Sequence, residues 1–146
     1  MTREELVALA RRVAHTHNLW PELVCAVCEQ ESGWNPWAIR FEPAFFERYV
    51  QPLYASGRIS ETEARARAFS WGLMQVMGQV ARESGFTGEF LPALCDPEVG
   101  LELGCQLLAR KLALADGNVS KALLLWNGGG NPSYPDQVLA RAQKCK

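Results

Sequence analysis

The sequence predicts a mainly α-helical domain, and three observations predict it. Apolar residues recur at three- and four-residue spacings in segment after segment. Those segments open on capping residues (Thr2, Ser60, Asp96) and close on glycines (Gly33, Gly117). No stretch of useful length alternates apolar and polar residues as a half-buried strand would.

The elements follow in order. Thr2-Arg3-Glu4-Glu5 is a capping box, and Leu6, Leu9, Ala10, Val13 and Ala14 then mark one buried face. His15 and His17 close this helix, where a cationic side chain suits the dipole. Asn18-Leu19-Trp20 is a turn, and Pro21 begins a second helix through Leu23, Val24, Ala26, Val27 and Cys28 to Glu31. Gly33 stops it, and Pro36 lies beyond. From Trp34 to Phe69 the chain is rich in aromatics and arginine. Within it, Pro43 to Val50 suits a short helix, Gly57 separates, and Ser60-Glu61-Thr62-Glu63 is a second capping box opening a helix through Ala68. Ser70 is placed to cap a further helical turn, Gly72 permits a close approach, and Gly85 and Gly88 break the chain. Asp96-Pro97 opens the longest helix, to about Ala115, with Val99, Leu103, Leu107, Leu108, Leu112 and Ala115 as its stripe. An apolar helix over 122–126 runs into Asn127-Gly128-Gly129-Gly130, and a last helix spans Asp136 to about Gln143.

Composition narrows the function. The chain has 146 residues, 48% apolar and 21% charged, which is ordinary for one globular domain, expected to span 1–146. A net charge of −1 gives no reason to expect nucleic acid or an anionic surface as partner, and no apolar run is long enough for a membrane span. Acids stand at the N-terminus where a signal peptide would be basic and then apolar. As read, the chain is cytoplasmic, carried by a larger particle, exported by another route, or trimmed; its localisation is otherwise left open. The five cysteines (Cys25, Cys28, Cys95, Cys105, Cys145) read as small buried residues, with a disulfide among Cys95, Cys105 and Cys145 left open. Cys25-x-x-Cys28 superficially matches a redox or zinc half-site, but both residues lie inside a helix and no second Cys/His pair completes a site. No metal and no cofactor is expected, and activity should resist chelators.

The chemistry points to Glu31. A carboxyl at the foot of an apolar helix is partly desolvated, so its pKa rises and it can hold a proton near neutrality, as a general acid must. Glu29, about 200° away around the helix, faces elsewhere and reads as structural. Gln75 is the one polar side chain in an apolar run, so a buried amide there needs partners. Trp37, Phe41, Phe45, Phe46, Tyr49 and Tyr54 are either core or the floor of a sugar groove. Arg40, Arg48, Arg58, Arg65 and Arg67 read as a solvated face, from which one could reach a substrate carboxylate. The glycine run has no preceding strand and no following Gly-Lys-Ser/Thr, so it is not a phosphate loop.

Four stretches, in order across roughly residues 20–140, resemble the lytic transglycosylase (SLT-type) domain of the goose-type lysozyme superfamily. They are Glu31-Ser32-Gly33, Gly72-Leu73-Met74-Gln75, Asp96-Pro97 with Gly104, and Leu125-Trp126-Asn127-Gly128-Gly129 followed by Tyr134. The resemblance implies a lysozyme-like α fold and cleavage of the β-1,4 bond between N-acetylmuramic acid and N-acetylglucosamine in peptidoglycan glycan strands, at the bacterial cell wall. It implies Glu31 as catalytic acid and then base, with Ser32, Met74, Gln75, Asn127 and Tyr134 binding substrate around it. The pattern departs from the family at Trp126, where tyrosine is usual, and at Gly100, where asparagine is usual. The segment between the first two signatures is also longer, which suggests an altered cleft wall of a phage-type or otherwise specialised muramidase. A monomer is expected.

Hydrolysis usually needs two carboxylates. The chain's aspartates are Asp96, Asp116 and Asp136, so none lies between the first two signatures, and Glu42 and Glu47 are the candidate second carboxylates. The expected outcome is therefore a lyase forming 1,6-anhydro ends. The alternatives are a hydrolytic muramidase using Glu31 with Glu42 or Glu47, and a non-catalytic peptidoglycan-binding domain. A helical structural or secretion-accessory role would leave the ordered signatures unexplained.

Overall fold

The computed structural model describes residues 1–145. Helix α1 (Arg3–Thr16) opens on the expected box: the Thr2 hydroxyl accepts from Glu5 N–H (3.1 Å) and the Glu5 carboxylate accepts from Thr2 N–H (2.7 Å). Its face of Leu6, Leu9, Ala10, Val13 and Ala14 is buried as the periodicity predicts. Helix α2 (Pro21–Ser32) is buried on nearly every side from Leu23 to Cys28, which explains its unbroken apolar run. It ends where Gly33 (φ 59°) and then Trp34 (φ 67°) both adopt left-handed backbone and turn the chain sharply. Trp34, only 6% exposed, anchors that turn in the core.

The segment after it departs most from expectation. A small antiparallel sheet of order β1-β2-β3 forms from β1 (Ile39–Phe41), β2 (Phe69–Trp71) and β3 (Val76–Met77). Strands of two or three residues carry no readable alternation, and β1 finds Arg40 opposite Ser70 thirty residues on. Ser70 is thus a strand residue, not a helix cap. Between β1 and β2, α3 (Pro43–Phe45) passes through a π-helical turn (Phe46–Val50) into α4 (Gln51–Ala55), so this helix runs five residues past its expected end. Pro52 cannot donate to Arg48 O and its ring crowds that carbonyl, and the wider turn opens the ladder just before it. Helix α5 (Glu61–Arg67) is capped by the Ser60 hydroxyl (3.1 Å to Glu63 N–H). The box is only half formed, because the Glu63 carboxylate turns away to Arg67 (2.7 Å) and Arg82 (2.9 Å).

Helix α6 (Gly78–Glu83) and a 3-10 helix (Leu91–Cys95) lead to α7 (Pro97–Leu114), capped by Asp96 through Glu98 N–H (3.0 Å) and Val99 N–H (3.2 Å). Helix α8 (Val119–Asn127) starts three residues earlier than predicted, because the Asn118 side chain caps it. Helix α9 (Tyr134–Lys144) starts two residues earlier, with Pro135 in its first turn. Helix α2 packs between α1 and α9, and α7 packs against α1 and α8. One large core joins these helices to Trp71, Leu73 and Met74. A second small core of Val50, Ala64 and Ala68, covered by Phe41, Phe45, Phe46 and Ile59, holds together the aromatic segment. No helix among the described residues is long and apolar enough to cross a membrane.

The five thiols are unpaired. Burial pushes Cys25 up to about 11 and Cys105 up to about 12, and raises Cys28 well above the ordinary value. Thiols so held are inert at neutral pH, which removes the redox reading of Cys25-x-x-Cys28.

Candidate active site

The site is built where the last turn of α2, the β2–β3 turn and the end of α8 converge. These elements line a cleft of about 650 Å³ to which Glu31, Ser70, Gln75, Trp126 and Asn127 contribute from one side to the other. Glu31 stands in the final turn of α2, and Tyr134, first residue of α9, reaches it from below. The Tyr134 hydroxyl donates to Glu31 Oε2 at 2.5 Å, and Tyr134 is 3% exposed. Burial raises the Glu31 pKa above its ordinary value; the Tyr134 bond, Trp126 and the Arg40 charge act against burial without cancelling it. The Tyr134 hydroxyl is itself driven strongly upward, first by burial and then by the adjacent carboxylate. It is a fixed donor and not a proton source.

Gln75 occupies a left-handed backbone conformation (φ 52°), uncommon outside glycine, and its side chain accounts for that strain. Its oxygen accepts from the Ser70 hydroxyl (2.8 Å), and its amide nitrogen donates to Ala38 O (2.9 Å) and Gly72 O (2.9 Å). Both N–H groups are spent on the protein, so Gln75 fastens β1 to the β2–β3 turn while lining the cleft. Gly72 in the same turn (φ 74°) would place a Cβ 2.5 Å from Leu94 O, which explains why a glycine stands there. Asn127, at the end of α8, has its amide against the glycine run, where the orientation that places its oxygen inward accepts from Asn131 N–H (2.9 Å) and Gly130 N–H (3.3 Å). Gly128 and Gly129 both lie at φ 82°, so the run is a reversal joining α8 to α9 and carries Tyr134 back to Glu31.

Three residues expected to bind substrate are absent from the cleft lining: Tyr134, buried against Glu31, and two that fall elsewhere. Met74 is 1% exposed and packs on Gly104, where a Cβ would collide with the Met74 sulfur; it supports the site from inside the core. Ser32 donates to Cys28 O (2.9 Å) within α2 and is absent from the cleft lining. Glu42 lines the cleft, paired with Arg40 at 3.2 Å, whereas Glu47 is exposed outside it. None of the six aromatics weighed as a sugar floor lines this cleft: Phe41, Phe45 and Phe46 cover the small core, and Trp37, Tyr49 and Tyr54 face outward. Glu29 binds Arg141 (3.0 Å) on the α9 side, as its helical angle predicts, and His17 meets Glu102 at 2.6 Å. The sequence reading missed the far wall, where α7 presents Leu107, Arg110, Lys111 and Leu114. Their spacing of three, four and seven residues is a helical stripe, but two cations within it read as solvent-facing.

The fold and cleft define a mainly α, lysozyme-like domain around a half-buried carboxyl with its own hydroxyl donor. The family model for the transglycosylase SLT domain matches residues 8–144, and the chain belongs to that family. Its members are lytic transglycosylases, enzymes that act on peptidoglycan. No solved structure matches the chain.

Proposed function

We propose that residues 1–146 work as one unit that cleaves the β-1,4 bond between N-acetylmuramic acid and N-acetylglucosamine, with Glu31 as the acid and then the base. The observation that carries this reading is the Glu31 carboxyl itself: desolvated enough to favour the proton, bonded to Tyr134, and open to the cleft. Glu31 donates its proton to the glycosidic oxygen as the C1–O bond breaks. The C2 acetamido group of the sugar stabilises the electron-poor C1. The carboxylate, still held by Tyr134, then accepts the C6 hydroxyl proton while O6 bonds to C1, and a 1,6-anhydro end forms. Gln75 and Asn127 shape the cleft by holding its backbone, and their contribution to substrate is positional.

A second reading has one observation in its favour: Glu42 lines the same cleft and could activate water, giving hydrolysis. Its pairing with Arg40 supports the first reading over this one. Glu47 stands outside the cleft and is dropped from the hydrolytic scheme. Mass spectrometry of digested peptidoglycan separates the readings: anhydro ends support the lyase, reducing ends the hydrolase. Glu31→Gln should lose cell-wall clearing while keeping its circular dichroism spectrum, and retained clearing would end the assignment.

A further inference from the structure

We propose that the α7 wall of the cleft is a subsite for the peptide branch of the glycan strand, with Arg110 and Lys111 receiving a branch carboxylate. The inference rests on the cleft being where peptidoglycan binds, and it extends that reading from the sugar backbone to its substituent. Leu107, Arg110, Lys111 and Leu114 fall at i, i+3, i+4 and i+7 on α7, so one helical face turns toward the cleft, and all four line it. Of the other ten arginines, seven have a carboxylate within 4.0 Å (Arg3, Arg11, Arg40, Arg65, Arg67, Arg82 and Arg141), and the three that do not, Arg12, Arg48 and Arg58, lie outside the cleft lining. Among the described residues neither Arg110 nor Lys111 has one, and neither makes a side-chain hydrogen bond.

The apolar groups beside them narrow the ligand. Leu114 is 69% exposed and Leu125 is 41% exposed, and both line the cleft. The wall thus offers two uncommitted cations between aliphatic surfaces, which fits a ligand carrying a carboxylate and short aliphatic groups together. The sugar backbone offers hydroxyls and acetamides, and where the lactyl group is amide-linked it carries no carboxylate. The peptide branch carries both a carboxylate and methyl or methylene groups. The helix dipole accounts for a cation near the end of α7, but not for two unpaired cations flanked by exposed leucines on the cleft side.

Calorimetry with the Glu31→Gln protein tests the subsite without turnover. The probes are a disaccharide-peptide fragment with free carboxylates, the same fragment with its carboxyls converted to amides, and poly(glycerol phosphate). The free acid should bind about tenfold more tightly than the amide, with a difference that shrinks as salt rises. Adding Arg110→Ala and Lys111→Ala should abolish the difference, while Arg48→Ala with Arg58→Ala, the same loss of two charges on the aromatic segment, should leave it. Arg110→Gln alone should reduce it and guards against a fold defect in the double variant. Equal binding of acid and amide, no binding of the free acid, a discrimination that survives the α7 variants, or preference for the polyphosphate would each overturn the proposal. Failure of the Glu31 assignment would instead appear as cleavage by Glu31→Gln, a separate readout.

Discussion

Tyr134→Phe isolates the contact on which the proposed chemistry depends. It removes one oxygen and keeps the ring in its buried setting (3% exposed), so packing is preserved. The lost bond, Tyr134 hydroxyl to Glu31 Oε2 at 2.5 Å, is strongest when Glu31 is ionised, which is the state proton donation creates. A hydrogen bond to a charged group contributes about 1.5–3 kcal/mol. At about 1.4 kcal/mol per decade of rate, kcat should fall about 10- to 150-fold. Water has little access to replace the hydroxyl. The pH profile gives an independent check. The Tyr134 bond lowers the Glu31 pKa against the larger effect of burial, so its loss should raise that pKa further. The limb at which activity is lost with rising pH, as the acid deprotonates, should therefore move to higher pH. Release of anhydro-muropeptides, followed from pH 4 to 9 with kcat taken on the plateau, measures both effects. An unchanged plateau rate, or a limb that moves toward acid, would refute the reasoning.

Three further outcomes are expected. Folding raises Glu31 above its ordinary value of 4.5, so wild-type stability is full below that value and declines as pH rises through the raised one. Glu31→Gln lacks that decline; its melting temperature relative to wild type should rise across this window and level off above it, and a pH-independent difference would contradict the desolvation argument. Gly72→Ala must place a Cβ 2.5 Å from Leu94 O at φ 74°, which should cost about 2–4 kcal/mol in urea unfolding, and a change below about 1 kcal/mol would show that the turn yields freely. Arg82 holds Glu63 (2.9 Å) and the carbonyls of Phe86 (3.0 Å) and Gly88 (2.6 Å), so Arg82→Met should cost about 2–3 kcal/mol and speed amide exchange over 86–90; unchanged exchange there would remove its anchoring role.

The helices were legible because their determinants are local. Thr2 with Glu5, Asp96 with Pro97, and Gly33 each act within one turn, so the chain alone specifies where α1 and α7 begin and α2 ends. The placement of Glu31 at the foot of an apolar helix was legible for the same reason. What surrounds it was not. Gln75 reads in sequence as an amide that needs partners, but not which: they are Ser70, Ala38 and Gly72, and Ala38 lies 37 residues away. Met74 reads as cleft and is core, because Gly104 on α7 leaves room for its sulfur.

The sequence by itself thus determined the helices and the place of Glu31 at the foot of one of them, through residues that interact across three or four positions. Tertiary structure decided the sheet, the half-formed second capping box and the roles of the companions of Glu31. Tyr134 meets Glu31 across 103 positions, and Arg110 and Lys111 face the same cleft from α7. Contacts at that separation depend on how helices pack and turns reverse, and no pattern within a single helix records them.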